Sequence, residues 1–137
     1  MTDTDVSGHP NDDEWYTRGL FWAAHRYIDE HLDSAVLDAE QIGKAIGCSR
    51  ASVYRLFARR RTTVREYIQE TRLRRSRWLL ERAAPEIPIG TIAERCGFND
   101  LSSFGKMFRR RYGLSPREFR RALDAADTAP TPAQPNR

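Results

Sequence analysis

The sequence predicts an all-α protein: two small helical lobes, about seven helices in total, joined by a long linker helix. Three observations carry this. Apolar residues recur at helical spacing, as Phe104, Phe108 and Tyr112 do on one face. Helix-start chemistry recurs with them, Ser, Thr or Asp at a cap with Glu or Gln three residues on. One pattern of short helix, glycine turn, second helix and capping box also occurs twice, over 42–67 and 92–119.

Taken in order, residues 1–13 are polar and acidic, with Gly8 and Pro10, and are expected to form a disordered leader to a domain over 14–124. The first helix is expected over 15–32, with Tyr16, Leu20, Ala24, Tyr27 and Ile28 on one stripe. Trp15 and Trp22 fall on another face. They either fold back onto the domain or offer a surface to a partner such as RNA polymerase or a sensor protein. Asp38 is a good N-cap, with Gln41 at the capping-box position, for a short helix that Gly47 ends. Ser49 caps a third helix over about 50–59.

Thr63 and Glu66 form a capping box that opens the linker helix, about 63–84, which Pro85 and Pro88 break. Leu73, Ser76, Leu80 and Ala83 make one stripe along it, and Tyr67, Thr71 and Trp78 a second, an arrangement suited to packing between two lobes. A short helix over about 89–96 follows, then a turn at Gly97 and a helix over about 100–112 that Gly113 ends. Ser115, Pro116 and Glu118 open the last helix as a capping box with proline at its first position. The proline-rich end, 125–137, reads as a disordered tail.

The formal charge is only +4, but the first 40 residues set ten acids against Arg18 and Arg26, net −8, which leaves +12 for the remainder. A basic body behind an acidic leader suggests a polyanionic partner, nucleic acid rather than membrane. No apolar run approaches the roughly 20 residues that span a bilayer. The acidic start is no secretory signal, and Cys48 and Cys96 are too few for a disulfide framework, so a reduced, cytoplasmic setting is expected. His9, His25, His31 and the cysteines lack metal-ligand spacing. No phosphate loop or nucleophile set is present either, so the reading is of a protein that is not an enzyme and holds no metal or cofactor.

The repeat has a mechanism. "IGKAIGCSRASVYRLFARRRTTVREY" and "IAERCGFNDLSSFGKMFRRRYGLSPREF" each run from an isoleucine (Ile42, Ile92) through a glycine five later (Gly47, Gly97) to Phe57 or Phe108. A basic run, a capping box and an aromatic, Tyr67 or Phe119, follow in both. A short helix, a glycine turn and a second helix with a basic outer face is the helix-turn-helix pattern, whose second helix fits the major groove of B-DNA. The first helix-turn-helix is expected over about 38–60 and the second over about 89–112. The other reading of the repeat is a helical adaptor or non-specific nucleic-acid binder that uses it only as a scaffold.

Residues from about 20 to 121 resemble the DNA-binding domain of AraC/XylS-type transcription regulators. The resemblance is carried by Ile92-Ala93, Cys96-Gly97-Phe98, Ser102, Phe104, Lys106, Phe108, Gly113, Ser115-Pro116 and Phe119-Arg120. In the first half it rests on Gly47, Ser49, Arg55, Leu56, Phe57 and Arg72-Leu73. It implies a sequence-specific regulator of double-stranded DNA, an activator by type, with two recognition helices in successive major grooves. By matching positions it implies base contacts from Arg50, Ala51, Tyr54 and Arg55, and from Leu101, Ser102, Ser103 and Lys106. Arg59, Arg60, Arg109, Arg110 and the helix starts at Thr63 and Ser115 are expected on phosphate. Arg111 is expected to be structural, its stem near Phe108 and its charge near an acid such as Glu118.

Three features depart from the family pattern. The first repeat lacks one residue between Phe57 and Tyr67, including the usual glycine, so the turn at Arg61-Thr62 must be rebuilt. Ala51 replaces an often bulky or basic residue, and Gly105 interrupts a recognition helix at about 1 kcal/mol against alanine. Family members usually carry a ligand-binding domain ahead of this unit, and fewer than 40 residues precede the second helix here. The expectation is therefore a stand-alone regulator controlled by abundance or by a partner, or else a truncated copy. Two unlike lobes on one chain predict a monomer on an asymmetric site.

Overall fold

The computed structural model describes residues 10–128. Seven helices and no strand occur among them: α1 (Pro10–Glu30), α2 (Ala39–Ile46), α3 (Arg50–Ala58), α4 (Val64–Arg82), α5 (Ile89–Arg95), α6 (Leu101–Tyr112) and α7 (Pro116–Thr128). The described chain divides between Arg72 and Leu73 into two compact units, and α4 contributes to both.

Local chemistry starts and stops the helices where the caps predict. The Asp38 carboxylate accepts from Gln41 N at 2.9 Å, and Ser49 Oγ from Ser52 N at 3.1 Å. The box at Thr63 is reciprocal: Thr63 N donates to Glu66 Oε1 at 3.1 Å and Glu66 N to Thr63 Oγ1 at 3.0 Å. Ser115 and Glu118 repeat it, at 2.9 and 3.1 Å.

The turn without its glycine is rebuilt by a left-handed arginine. Arg61 has φ 60°, the one positive φ outside glycine among the described residues. Arg61 N donates to Ala58 O at 2.9 Å and Thr62 N to Phe57 O at 3.3 Å, the paired bonds that close a helix over a left-handed residue. Gly97, at φ 92°, closes α5 in the same way through Glu94 O and Ala93 O.

In the first unit Phe21, Ala24, Ile28 and Leu32 pack on Ile42, Val53, Phe57 and Ile68. The expected stripe of α1 needs correction: Tyr16 is 68% exposed, whereas Phe21 is 3% exposed and lies 5.3 Å from Phe57 and 5.5 Å from Tyr67 between ring centroids. A phenylalanine buries its whole ring there with no hydroxyl to satisfy. In the second unit Leu73, Leu80, Ile92, Ala93, Phe104 and Phe108 form the core.

The second stripe of α4 is interrupted. Tyr67 and the buried Thr71 belong to the first unit, and Thr71 Oγ1 donates to Tyr67 O at 2.7 Å. Trp78 is 50% exposed, with the Arg82 guanidinium 4.5 Å from its ring centroid.

The expected leader and tail fall largely outside the described residues. Where they overlap them, residues 10–13 and 125–128 are helical. Proline suits a first helical turn, where its missing N–H would have no intrahelical partner, and Ala125 and Ala126 are strong helix formers.

Candidate nucleic-acid interface

Val53, Leu56 and Phe57 turn inward on α3, so Ala51, Arg55 and Arg59 emerge on its outer face, all exposed. Arg50 and Tyr54 flank them in the open, Tyr54 at 52%. The Arg55 guanidinium is held: Nη2 donates to Ser52 Oγ at 3.1 Å, and Ser52 Oγ in turn receives the Ser49 hydroxyl at 3.0 Å.

On α6, Phe104 and Phe108 are buried at 0%, which turns Ser102, Ser103, Lys106, Arg109 and Arg110 outward. Leu101, at the helix start, is 55% exposed. Asp100 caps the helix, accepting from Ser102 N at 3.1 Å and from the Ser103 hydroxyl at 2.6 Å. The Ser103 hydroxyl, and then the Ser102 amide, hold the Asp100 carboxyl below its usual range. Nothing outside the helix lies within 4 Å of where a Cβ on Gly105 would stand, so packing does not require that glycine.

The two helices match residue for residue. Cap, serine, cation and buried phenylalanine fall at Ser49, Ser52, Arg55 and Phe57, and again at Asp100, Ser103, Lys106 and Phe108. Helix geometry therefore points Arg55 and Lys106 away from their own cores at equivalent positions.

The residues expected on phosphate differ in their engagement. Arg59 and Arg110 are exposed. Arg60 lays its guanidinium 3.7 Å from the Phe21 ring centroid. Arg109 pairs with Glu118, at 3.3 Å. The turn at Gly113 returns the chain so that Glu118 lies alongside Arg109, while Arg111 stands 4.8 Å from the Tyr112 ring centroid. At Thr63 and Ser115 the cap amide is already engaged by Glu66 or Glu118, so a phosphate at either helix start would meet a carboxylate. The Ser115 amide, with Arg109 beside it, keeps the Glu118 carboxyl below its usual range.

Two arginines that carry the family resemblance, Arg72 and Arg120, also position these helices, through partners the sequence does not reveal. Arg72 donates to Leu32 O and Ser34 O, each at 3.0 Å, which ties α4 to the segment after α1. Arg120 donates to Ile87 O at 2.6 Å, which ties α7 to the segment before α5. Only the arginines themselves were signals; their carbonyl partners lie 33 to 40 residues away in sequence.

The thiols read as packing groups. Cys96 is buried, and burial pushes the Cys48 thiol up, away from the nucleophilic thiolate. His25 Nδ1 lies 2.6 Å from the Tyr67 hydroxyl. Among the described residues no cluster of His, Cys, Asp or Glu could hold a metal ion, and no helix is long and apolar enough to cross a membrane.

A family profile described as a helix-turn-helix domain matches residues 42–122. The Msm operon regulatory protein of Streptococcus mutans is 34% identical over 88 residues, covering 64% of this chain and 31% of its own length. The transcriptional activator RhaS of Escherichia coli is 33% identical over 105 residues, 77% of this chain and 35% of its own. The chain thus spans about a third of the length of these curated relatives. Among solved structures, a Chromobacterium violaceum transcriptional regulator, described as containing an AraC-type DNA-binding domain, superposes with a TM-score of 0.68. It is 27% identical, over 87% of this chain and 96% of that one.

Proposed function

The chain belongs to the AraC-type helix-turn-helix family of transcriptional regulators, and on that basis we propose that it binds one asymmetric duplex site as a monomer. In this reading α3 and α6 enter successive major grooves. Arg55 and Lys106 read base edges at the centres of the two faces, with Arg50, Ala51, Tyr54, Leu101, Ser102 and Ser103 around them. Arg59 and Arg110 hold phosphate, and Arg60, Arg109, Thr63 and Ser115 stand near the same backbone.

The observation that carries this is the repeated register of cap, serine and cation on two helices whose inner faces are fixed by Phe57 and Phe108. A scaffold would need the buried phenylalanines but no matching cations outside. The exposure of Trp15 and Trp22, 72% and 53%, supports a partner-facing role for α1, toward polymerase or a sensor protein.

Salt titrations on preferred and random duplexes test the division of roles. Lys106→Ala is expected to cost about 1–3 kcal/mol on the preferred site and to relax preference at one base step. Arg110→Ala is expected to weaken binding to all sequences alike and to lower the salt slope by about 0.9, one phosphate contact. Arg111→Ala is expected to lower the melting temperature with little change in salt dependence. One uniform loss across all three variants would instead make the run an undifferentiated phosphate patch.

A further inference from the structure

We propose that Ser103 determines specificity by accepting a hydrogen bond from an exocyclic base amine, adenine N6 or cytosine N4, and that Asp100 sets this polarity. The inference rests on the reading that the outer face of α6 meets the major groove. A serine hydroxyl has one proton and two lone pairs, so a free serine bonds to donors and acceptors alike and discriminates little. Ser103 is not free in that sense. Its Oγ lies 2.6 Å from Asp100 Oδ2, while Asp100 Oδ1 takes the Ser102 amide at 3.1 Å.

An ionised carboxylate has no proton to give, so Ser103 is the donor in this pair and its single proton is spent. The same two bonds that cap α6 favour that ionised state, and Lys106 adds to it. The exposed Oγ then turns only lone pairs outward. In the major groove adenine and cytosine present amine donors, whereas thymine O4 and guanine O6 and N7 present only acceptors. An acceptor-only Ser103 favours the first pair and repels the second.

The first unit has the opposite polarity at the equivalent position. Ser52 Oγ receives both Arg55 Nη2 and the Ser49 hydroxyl, which occupies its lone pairs and leaves its own proton to donate. The two recognition helices match in register and differ in the sign of this hydrogen bond. The cap residue, Ser49 against Asp100, and the Arg55 bond to Ser52 make the difference.

The test uses the full chain and a duplex selected from a random pool, with binding measured for all four base pairs at each position. Wild type is expected to prefer an amine-bearing base by about 3- to 10-fold at one position, the size of a single neutral hydrogen bond. Ser103→Ala should abolish that preference at that position. Asp100→Asn keeps a capping oxygen but brings an amide that can donate to Ser103 Oγ, which frees the serine proton. It should erase or reverse the preference at the same base pair. Replacing adenine by purine, or cytosine by 2-pyrimidinone, deletes only the amine. The analogue that weakens wild type, and leaves Ser103→Ala unchanged, identifies the base.

If Asp100→Asn merely tightens binding to every sequence equally, or if the two variants alter different base pairs, the inference is overturned and the proposed function stands. If wild type does not distinguish its selected site from random DNA, the proposed function itself fails, and this inference with it.

Discussion

Phe108→Ala is expected to cost about 3–5 kcal/mol, the usual price of emptying a fully buried aromatic site. The ring is 0% exposed and sits 4.8 Å from Tyr112, 5.7 Å from Phe104 and 5.7 Å from Phe119 between centroids. Those contacts join α6 to α7, and no small side chain fills the gap. The damage should be local, because the second core shares no residue with the first. Hydrogen exchange reads this directly. Amides of α5, α6 and α7 should lose protection while those of α1, α2 and α3 keep theirs. An equal loss along the whole chain would mean that the two cores fold as one.

Gly43→Ala is expected to destabilise the first unit by about 1–3 kcal/mol, the range for overpacking a tight site. A Cβ at Gly43 would stand 2.6 Å from Cys48 O and 3.4 Å from Ser49 C, both backbone atoms of the helix-turn-helix turn. That turn has little room to yield. Gly47 holds φ 82°, and the amides of Gly47 and Cys48 both donate to Gly43 O at 2.9 Å. The second lobe carries Ala93 at the corresponding place, buried at 2%. Its turn has one more residue between glycine and cap, Gly97 to Asp100 against Gly47 to Ser49, which accommodates the methyl group. Thermal melting checks the prediction. A fall of roughly 4–8 °C per kcal/mol is expected for a unit of this size, and an unchanged midpoint would contradict the steric argument.

What was legible in the sequence was mostly local. Caps at Asp38, Ser49, Thr63 and Ser115 involve partners three residues away, so their spacing reveals them before any tertiary contact is known. The outward positions of Arg55 and Lys106 follow from the same short periods. Side-chain partners across turns were less visible. Arg109 lies nine residues from Glu118 in sequence, and only the return of the chain after Gly113 brings the two together. The period that puts Tyr16 on the inner face of α1 passes over Phe21, which the rings of Phe57 and Tyr67 hold inside. Arg61 shows a limit of another kind: the missing glycine announced a rebuilt turn, but its left-handed φ of 60° had no signal in the residue type.

The central claim is that α3 and α6 each read their own stretch of one site. Base-preference maps of the wild-type chain, Arg55→Ala and Lys106→Ala, taken by selection from one random duplex pool, test it most directly. Each variant should lose preference over its own short run of base pairs. The two runs should lie about one helical turn, or 10 base pairs, apart on the same face of the duplex. Loss at the same base pairs in both variants, or loss of affinity with every preference intact, would contradict the account.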